Sequence, residues 1–179
     1  RVLASLFQSV TPRTAGFNTV DYAKMSEAGR AVTIVLMMIG GSSGSTAGGM
    51  KITTVAVLLY SAVSVFRKRK EVRCFGRRIE EDTVKQAATI SFLYILLFAA
   101  GGIAISAIED LPVLDCLFES ASAVATVGLT VGITSTLSLA SRLILIFLMY
   151  FGRVGGLTLL TAVLFGRKTE DGRLPVCTI

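Results

Sequence analysis

Residues 39–51 read Ile-Gly-Gly-Ser-Ser-Gly-Ser-Thr-Ala-Gly-Gly-Met-Lys, a glycine-rich stretch set between two strongly apolar runs at 31–39 and 52–66. A single helix over 31–66 would be about 54 Å long at ~1.5 Å per residue. A bilayer's hydrocarbon core is only ~30 Å thick. The fit predicts a membrane helix broken in its middle. Irregular backbone is tolerated at that depth only where it is buried in protein or lines a water-filled cavity. The break is therefore a pointer to a permeation path.

The rest of the chain agrees with a membrane setting: 53% of its residues are hydrophobic and only 17% charged. A net charge of +6 raises the question of nucleic acid. The basic residues, however, gather in Arg67-Lys68-Arg69-Lys70, Arg73 and Arg77-Arg78, directly after an apolar run. That is the pattern of a positive-inside loop beside a lipid membrane, and no nucleic-acid partner is expected. Cys74, Cys116 and Cys177 are far apart, without metal-ligand spacing, and are expected to be free thiols. The chain opens on Arg1-Val2-Leu3 without Met, as a piece of a longer protein would.

Three spans are expected: the broken one at 31–66, a clean one at 86–108 stopped by Glu109-Asp110, and one at 139–165 with Arg153 near its middle. The stretches 2–11 and 112–125 are too short to cross; the second would reach only about 20 Å. Both are read as re-entrant half-helices, with Pro112 in a first helical turn and Asp110 as a candidate cap. Lys and Arg concentrate in the 67–85 linker and the 167–173 tail, which places those inside. The connection 109–115 carries Glu109, Asp110 and Asp115 and no basic residue, which places it outside.

The chain also repeats itself. Leu6-Phe7-Gln8-Ser9 matches Leu117-Phe118-Glu119-Ser120, and Thr14-Ala15-Gly16-Phe17 matches Thr126-Val127-Gly128-Leu129. Met37-Met38-Ile39-Gly40 matches Met149-Tyr150-Phe151-Gly152, and Gly48-Gly49-Met50 matches Gly155-Gly156-Leu157. The offset falls from 112 to 107 between the last two matches, so the first copy carries five extra residues within the glycine-rich break. Each copy reads half-helix, Thr-x-Gly, spanning helix; the span at 86–108 precedes the second copy only. The expected organisation is a partial repeat at 1–66, a basic linker at 67–82, a complete repeat at 83–166 and a tail at 167–179.

A half-helix followed by Thr-x-Gly resembles the selectivity filter of potassium channels. A potassium ion sheds water to pass, and backbone carbonyls replace that water. Carbonyls converge on one axis only if the backbone takes unusual dihedrals, which Gly permits at low steric cost. The C-terminal end of each half-helix would add partial negative charge. The candidate filter residues are Thr14, Ala15, Gly16 and Phe17 in one copy and Thr126, Val127, Gly128 and Leu129 in the other, each holding K+ through backbone carbonyls.

With these motifs in place, the chain resembles the C-terminal half of a potassium-translocating subunit of the Ktr/Trk/HKT superfamily, closest to the bacterial Ktr type. The match rests on 11–18, Gly40 to Lys51, Phe75-Gly76-Arg77-Arg78 and Phe151-Gly152-Arg153-Val154-Gly155-Gly156. The resemblance implies an all-α polytopic fold with four M1–P–M2 repeats around one pore. This chain holds the counterpart of the last repeat and of the third without its M1. It also implies an intramembrane gating loop, carried here by Gly40, Gly41, Ser42, Ser43, Gly44, Ser45, Thr46, Ala47, Gly48 and Gly49, and a pore-facing Arg, here Arg153. By the same resemblance the permease is a homodimer in the bacterial plasma membrane. It would carry a cytoplasmic nucleotide-binding ring of the RCK type, move K+ with Na+ as an activator, and need no cofactor.

Other readings stay open. Gly40, Gly44 and Gly48, and likewise Gly152 and Gly156, also have the spacing of a small-residue helix-packing face. Gly44 and Gly49 have phosphate-loop separation, but Met50 intervenes before Lys51, which reads better as a cavity-facing or snorkelling charge. Arg13 and Asn18 fit an outer pore mouth or a structural role equally well. A sodium or mixed sodium/potassium transporter of the same family and a non-transporting assembly subunit are the alternatives to potassium uptake. An intramembrane enzyme is disfavoured, because the chain has no His and no paired carboxylate within a span.

Overall fold

The computed structural model describes residues 2–18, 20–42, 48–68, 71–74 and 77–154 of the 179. Among the described residues six α-helices follow one another: α1 (Val2–Val10), α2 (Glu27–Met38), α3 (Ile52–Phe66), α4 (Glu81–Glu109), α5 (Val113–Val124) and α6 (Leu139–Val154). The fold is thus helical, as expected, with one small departure. In the basic linker, Arg73–Cys74 (β1) pairs antiparallel with Arg77–Arg78 (β2). That hairpin is tied back to α3, whose buried Ser64 donates its hydroxyl to the Glu71 carbonyl at 2.9 Å.

Helix ends follow local chemistry. α2 starts at Glu27, ahead of its apolar run, because the Ser26 hydroxyl accepts from the Gly29 amide and an acidic residue opens the first turn. Gly40 and Gly41 then stop it. α4 likewise starts earlier than the apolar pattern, with Glu81 and Asp82 in its first turn. At 29 residues it is about 44 Å long, enough to cross a bilayer. Asp110 does not cap α5: it adopts the left-handed conformation (φ 54°) and closes α4 by donating its amide to the Ser106 carbonyl. Pro112 takes the position before α5 instead.

The two short helices have different surroundings. α5 lies in the centre, packed against α2, α4 and α6, with Cys116 and the whole of 118–124 buried. Leu3, Leu6, Phe7 and Val10 of α1 remain exposed. The outward faces of the long helices are apolar as well: Phe92, Leu96 and Ile103 on α4 and Ile146, Phe147 and Tyr150 on α6 are exposed. Faces of that size need lipid or protein against them. Cys74 and Cys116 are free thiols; Cys177 lies outside the described residues.

Polar ties fix the ends of the bundle. The Arg30 guanidinium of α2 forms an ion pair and hydrogen bond with Asp115 in the first turn of α5, both side chains being more than four-fifths buried. The Glu109 carboxylate accepts from the Ser138 amide (2.8 Å) and the Ser141 hydroxyl (2.6 Å), which anchors the start of α6. Removing one partner of a buried ion pair leaves an uncompensated charge, whereas replacing both by apolar groups costs far less. Asp115→Ala should therefore lower unfolding stability by roughly 3 kcal/mol. The double change Arg30→Met with Asp115→Met should recover most of that loss in thermal unfolding of the detergent-solubilised protein.

Candidate functional site

Two Thr-x-Gly segments leave the C-terminal ends of α1 and α5. Helix α5 ends in a Schellman turn: the Val127 amide donates to the Ser122 carbonyl (2.9 Å) and the Thr126 amide to that of Ala123 (3.1 Å). Thr126 supplies the left-handed residue this turn needs, with φ 53°. In the other copy Thr14 has φ 67°, and the Gly16 amide donates to the Thr11 carbonyl at 3.2 Å. A left-handed Thr costs about 1–2 kcal/mol. Among the described residues four non-glycines adopt positive φ, and two of them are these matching threonines. Gly16 and Gly128 repeat the correspondence, at φ 71° and 90°.

The two segments touch. A Cβ built on Gly16 would lie 2.1 Å from the Val127 carbonyl oxygen and 3.8 Å from the Gly128 Cα. Their flanks differ, however. Val127 and Leu129 are buried, while Ala15 and Phe17 are exposed. The second segment has α4 and α6 behind its helix; no described helix stands in the place of α4 behind the first.

The break at 39–51 is real, and its ends are joined. The Gly40 amide donates to the Met50 carbonyl (2.9 Å) and the Ile52 amide to that of Gly41 (3.2 Å). Past this ladder the Gly48 amide donates to the Thr126 hydroxyl at 3.0 Å, so the loop end reaches the start of the second Thr-x-Gly segment. An added Cβ on Gly48 would meet that hydroxyl at 2.3 Å and the Gly152 carbonyl at 3.0 Å. Gly152 itself crosses the end of α5 so closely that a Cβ there would sit 2.0 Å from the Val124 carbonyl oxygen. The helix-packing reading of Gly152 is thus partly right, but its partner is a helix terminus. Arg153, the next residue along α6, is exposed. Ser43, Gly44, Ser45, Thr46, Ala47 and Gly156 lie outside the described residues, while Gly40, Gly41, Ser42 and Gly49 fall within them.

A family model described as TrkH, cation transport protein, matches residues 1–170. The chain belongs to the TrkH family. The bacterial Ktr/Trk members of this family are integral proteins of the plasma membrane, and the Ktr/Trk resemblance read from the motifs is correct. Over 168 residues the chain is 42% identical to the potassium/sodium uptake protein NtpJ of Enterococcus hirae, covering 92% of this chain and 37% of that protein. It is 41% identical over 174 residues to the Ktr system potassium uptake protein B of Bacillus subtilis, covering 97% and 38%. The Ktr system potassium uptake protein D of the same organism is 34% identical over 164 residues, covering 92% and 36%. The chain therefore spans well under half the length of these TrkH relatives.

Sequence reasoning missed several polar residues of this TrkH chain. Thr11, 1% exposed, donates its hydroxyl to the Phe17 carbonyl (2.9 Å) and accepts from the Phe17 amide (3.1 Å), closing the first Thr-x-Gly segment into a loop. Glu119 is 4% exposed and grips the segment after Leu129. The available signal was a second acid in the half-helix, one turn after Asp115 and matched by Gln8 in the other copy. The carboxylates of Glu109, Asp115 and Glu119 have structural partners, Asp110 engages Ser106 through its backbone amide, and no metal-binding group of His, Cys, Asp or Glu occurs among the described residues. The crossing at Gly152 leaves no room for a side chain, so Gly152→Ala should cost about 1–3 kcal/mol. Thermal unfolding of the purified protein checks this.

Proposed function

We propose that the chain is the C-terminal part of the pore-forming subunit of a potassium uptake system. The observation that carries this reading is the paired left-handed Thr and Gly at matching positions of two copies, in mutual contact. That alternation is what carbonyls need in order to face a common axis and replace an ion's water. In this reading α1 and α5 are re-entrant pore helices of M1–P–M2 repeats, and 14–17 and 126–129 are two walls of the filter. The membrane potential, worth ~2.3 kcal/mol per charge per 100 mV, drives inward movement without bond chemistry, so no enzymatic step is needed.

The loop 40–49 and Arg153 form the gate in this reading. The contact of Gly48 with Thr126 and the adjacency of Gly152 support it, since they set the loop end directly under the second wall. A charge at membrane depth is costly and usually functional. Arg153 would repel cations until drawn aside. By resemblance the permease works as a homodimer under a cytoplasmic regulatory ring of the RCK type, with the linker and tail as contact surfaces; the relatives named as proteins B and D of a Ktr system support a subunit that works with other components. A mixed sodium/potassium activity is the second reading, favoured by the printed name of the 42% identical relative.

Uptake by the complete polypeptide, in cells lacking their own potassium systems, tests both parts. Gly128→Ser and Gly16→Ser should weaken potassium affinity or relax discrimination against sodium, and unchanged values for both ions would remove the filter reading. Deleting Ser42 to Ser45 leaves the Gly40–Met50 and Gly41–Ile52 ladder in place. It should raise maximal flux about fivefold, equivalent to a barrier of ~1 kcal/mol, with affinity nearly unchanged. Arg153→Gln should act in the same direction, and the two changes together should give less than the product of their separate effects. Independent, multiplying effects would sink a shared gate.

A further inference from the structure

The segment 126–129 hangs from one helix at both ends. Its start is set by the Schellman turn of α5, and its far end by Glu119 from the middle of the same helix. One carboxylate oxygen accepts from the Thr130 hydroxyl (2.5 Å) and the Val131 amide (3.1 Å); the other contacts the Thr134 hydroxyl at 2.9 Å. The two threonine hydroxyls are themselves 2.9 Å apart, and the Gly132 amide donates to that of Thr130 at 2.8 Å. The side chain is buried and Leu129, which precedes this network, is 1% exposed.

Hydrogen counting limits what this arrangement requires. Three oxygen–oxygen contacts join Glu119, Thr130 and Thr134 in a ring, and each needs one hydrogen. The two hydroxyls supply two. The third comes from the acid group itself, or equally from a side-chain amide. At the matching position of the first copy stands an amide residue, Gln8.

We propose that Glu119 is a positioning residue that fixes the far end of the 126–129 filter by hydrogen bonding rather than by its charge. This rests on the filter reading above. It also explains why this acid is buried with no cation among its hydrogen-bond partners in the described residues. In Glu119→Gln the amide N–H would donate to the Thr134 hydroxyl while the amide oxygen keeps the Thr130 and Val131 bonds. Glu119→Ala would free residues 130–134 from α5.

The test is potassium and sodium uptake by the complete polypeptide carrying Glu119→Gln, Glu119→Ala, or Thr130→Val with Thr134→Val, each normalised to its amount in the membrane. Glu119→Gln should stay within about twofold of the unaltered protein in potassium KM and in potassium-over-sodium preference. Glu119→Ala should lose about tenfold in preference, the scale of one or two buried hydrogen bonds. If Glu119→Ala fails to reach the membrane, the double valine variant, which keeps the acid and removes the ring, carries the test and should shift preference in the same direction. A Gln variant as impaired as the Ala variant would show that charge is required and overturn the proposal. Unchanged preference in both the Ala and double valine variants would overturn it too. Gly128→Ser separates the two levels: if it changes preference while the Glu119 variants do not, the filter stands and the anchor falls. If Gly128→Ser also has no effect, the filter reading itself has failed.

Discussion

The crossing of α6 over the end of α5 is the contact on which the rest of the site depends. The Val124 carbonyl occupies the space a side chain would need at Gly152. Because the backbones meet there, the loop end at Gly48 can reach Thr126, and Arg153 is held one residue from that junction. A helix C-terminus concentrates partial negative charge on its last carbonyls. Bringing three chain segments to that point places backbone dipoles, a hydroxyl and a guanidinium-bearing helix in one small volume. Selection for such a crossing acts on volume first: any residue with a Cβ separates the segments before its chemistry matters.

The two repeats reach the same backbone shape by different means. In one, a buried threonine closes the loop on itself; in the other, an acid from mid-helix grips the residues beyond it. Thr14 and Thr126 both bear left-handed strain, which persists only where neighbours over-determine it. For Thr126 those neighbours are the α5 terminus, the Gly48 amide and the buried surroundings of Val127 and Leu129. Among the described residues, no helix stands behind the first copy as α4 stands behind the second.

Much of the fold was legible because membrane length and glycine content are strong constraints. The break at 39–51, the two short helices and the long span all appear within a few residues of their expected positions. Boundaries moved where capping outweighed hydrophobicity: Ser26 and Glu27 extend α2 and Glu81 extends α4. Asp110 looked like a start signal for α5 and proved to be a stop for α4, because Asp tolerates the left-handed conformation. The matching Thr-x-Gly segments were readable as a pair, but their mutual contact was not, since sequence offset carries no information on approach between copies. Glu119, Thr11 and the Arg30–Asp115 pair were hidden for the same reason: their partners lie across turns or helices, where no local pattern records them.

The ladder that joins residues 40–41 to 50 and 52 makes the glycine-rich segment a ring closed at its base. For a flexible ring, doubling the number of residues adds only about 0.6 kcal/mol of closure entropy. The helices on either side are insulated from what happens inside it, because their spacing is set at the ladder. Length within the ring is therefore only weakly constrained by the ladder, whereas Gly48 and Gly49, held against Thr126 and Ala125, have no room for a side chain. Insertions or deletions between residues 41 and 48 would leave the hydrogen bonds that space α2 and α3 untouched. In the gating reading proposed above, a lineage could then adjust flux without altering the packing of those helices.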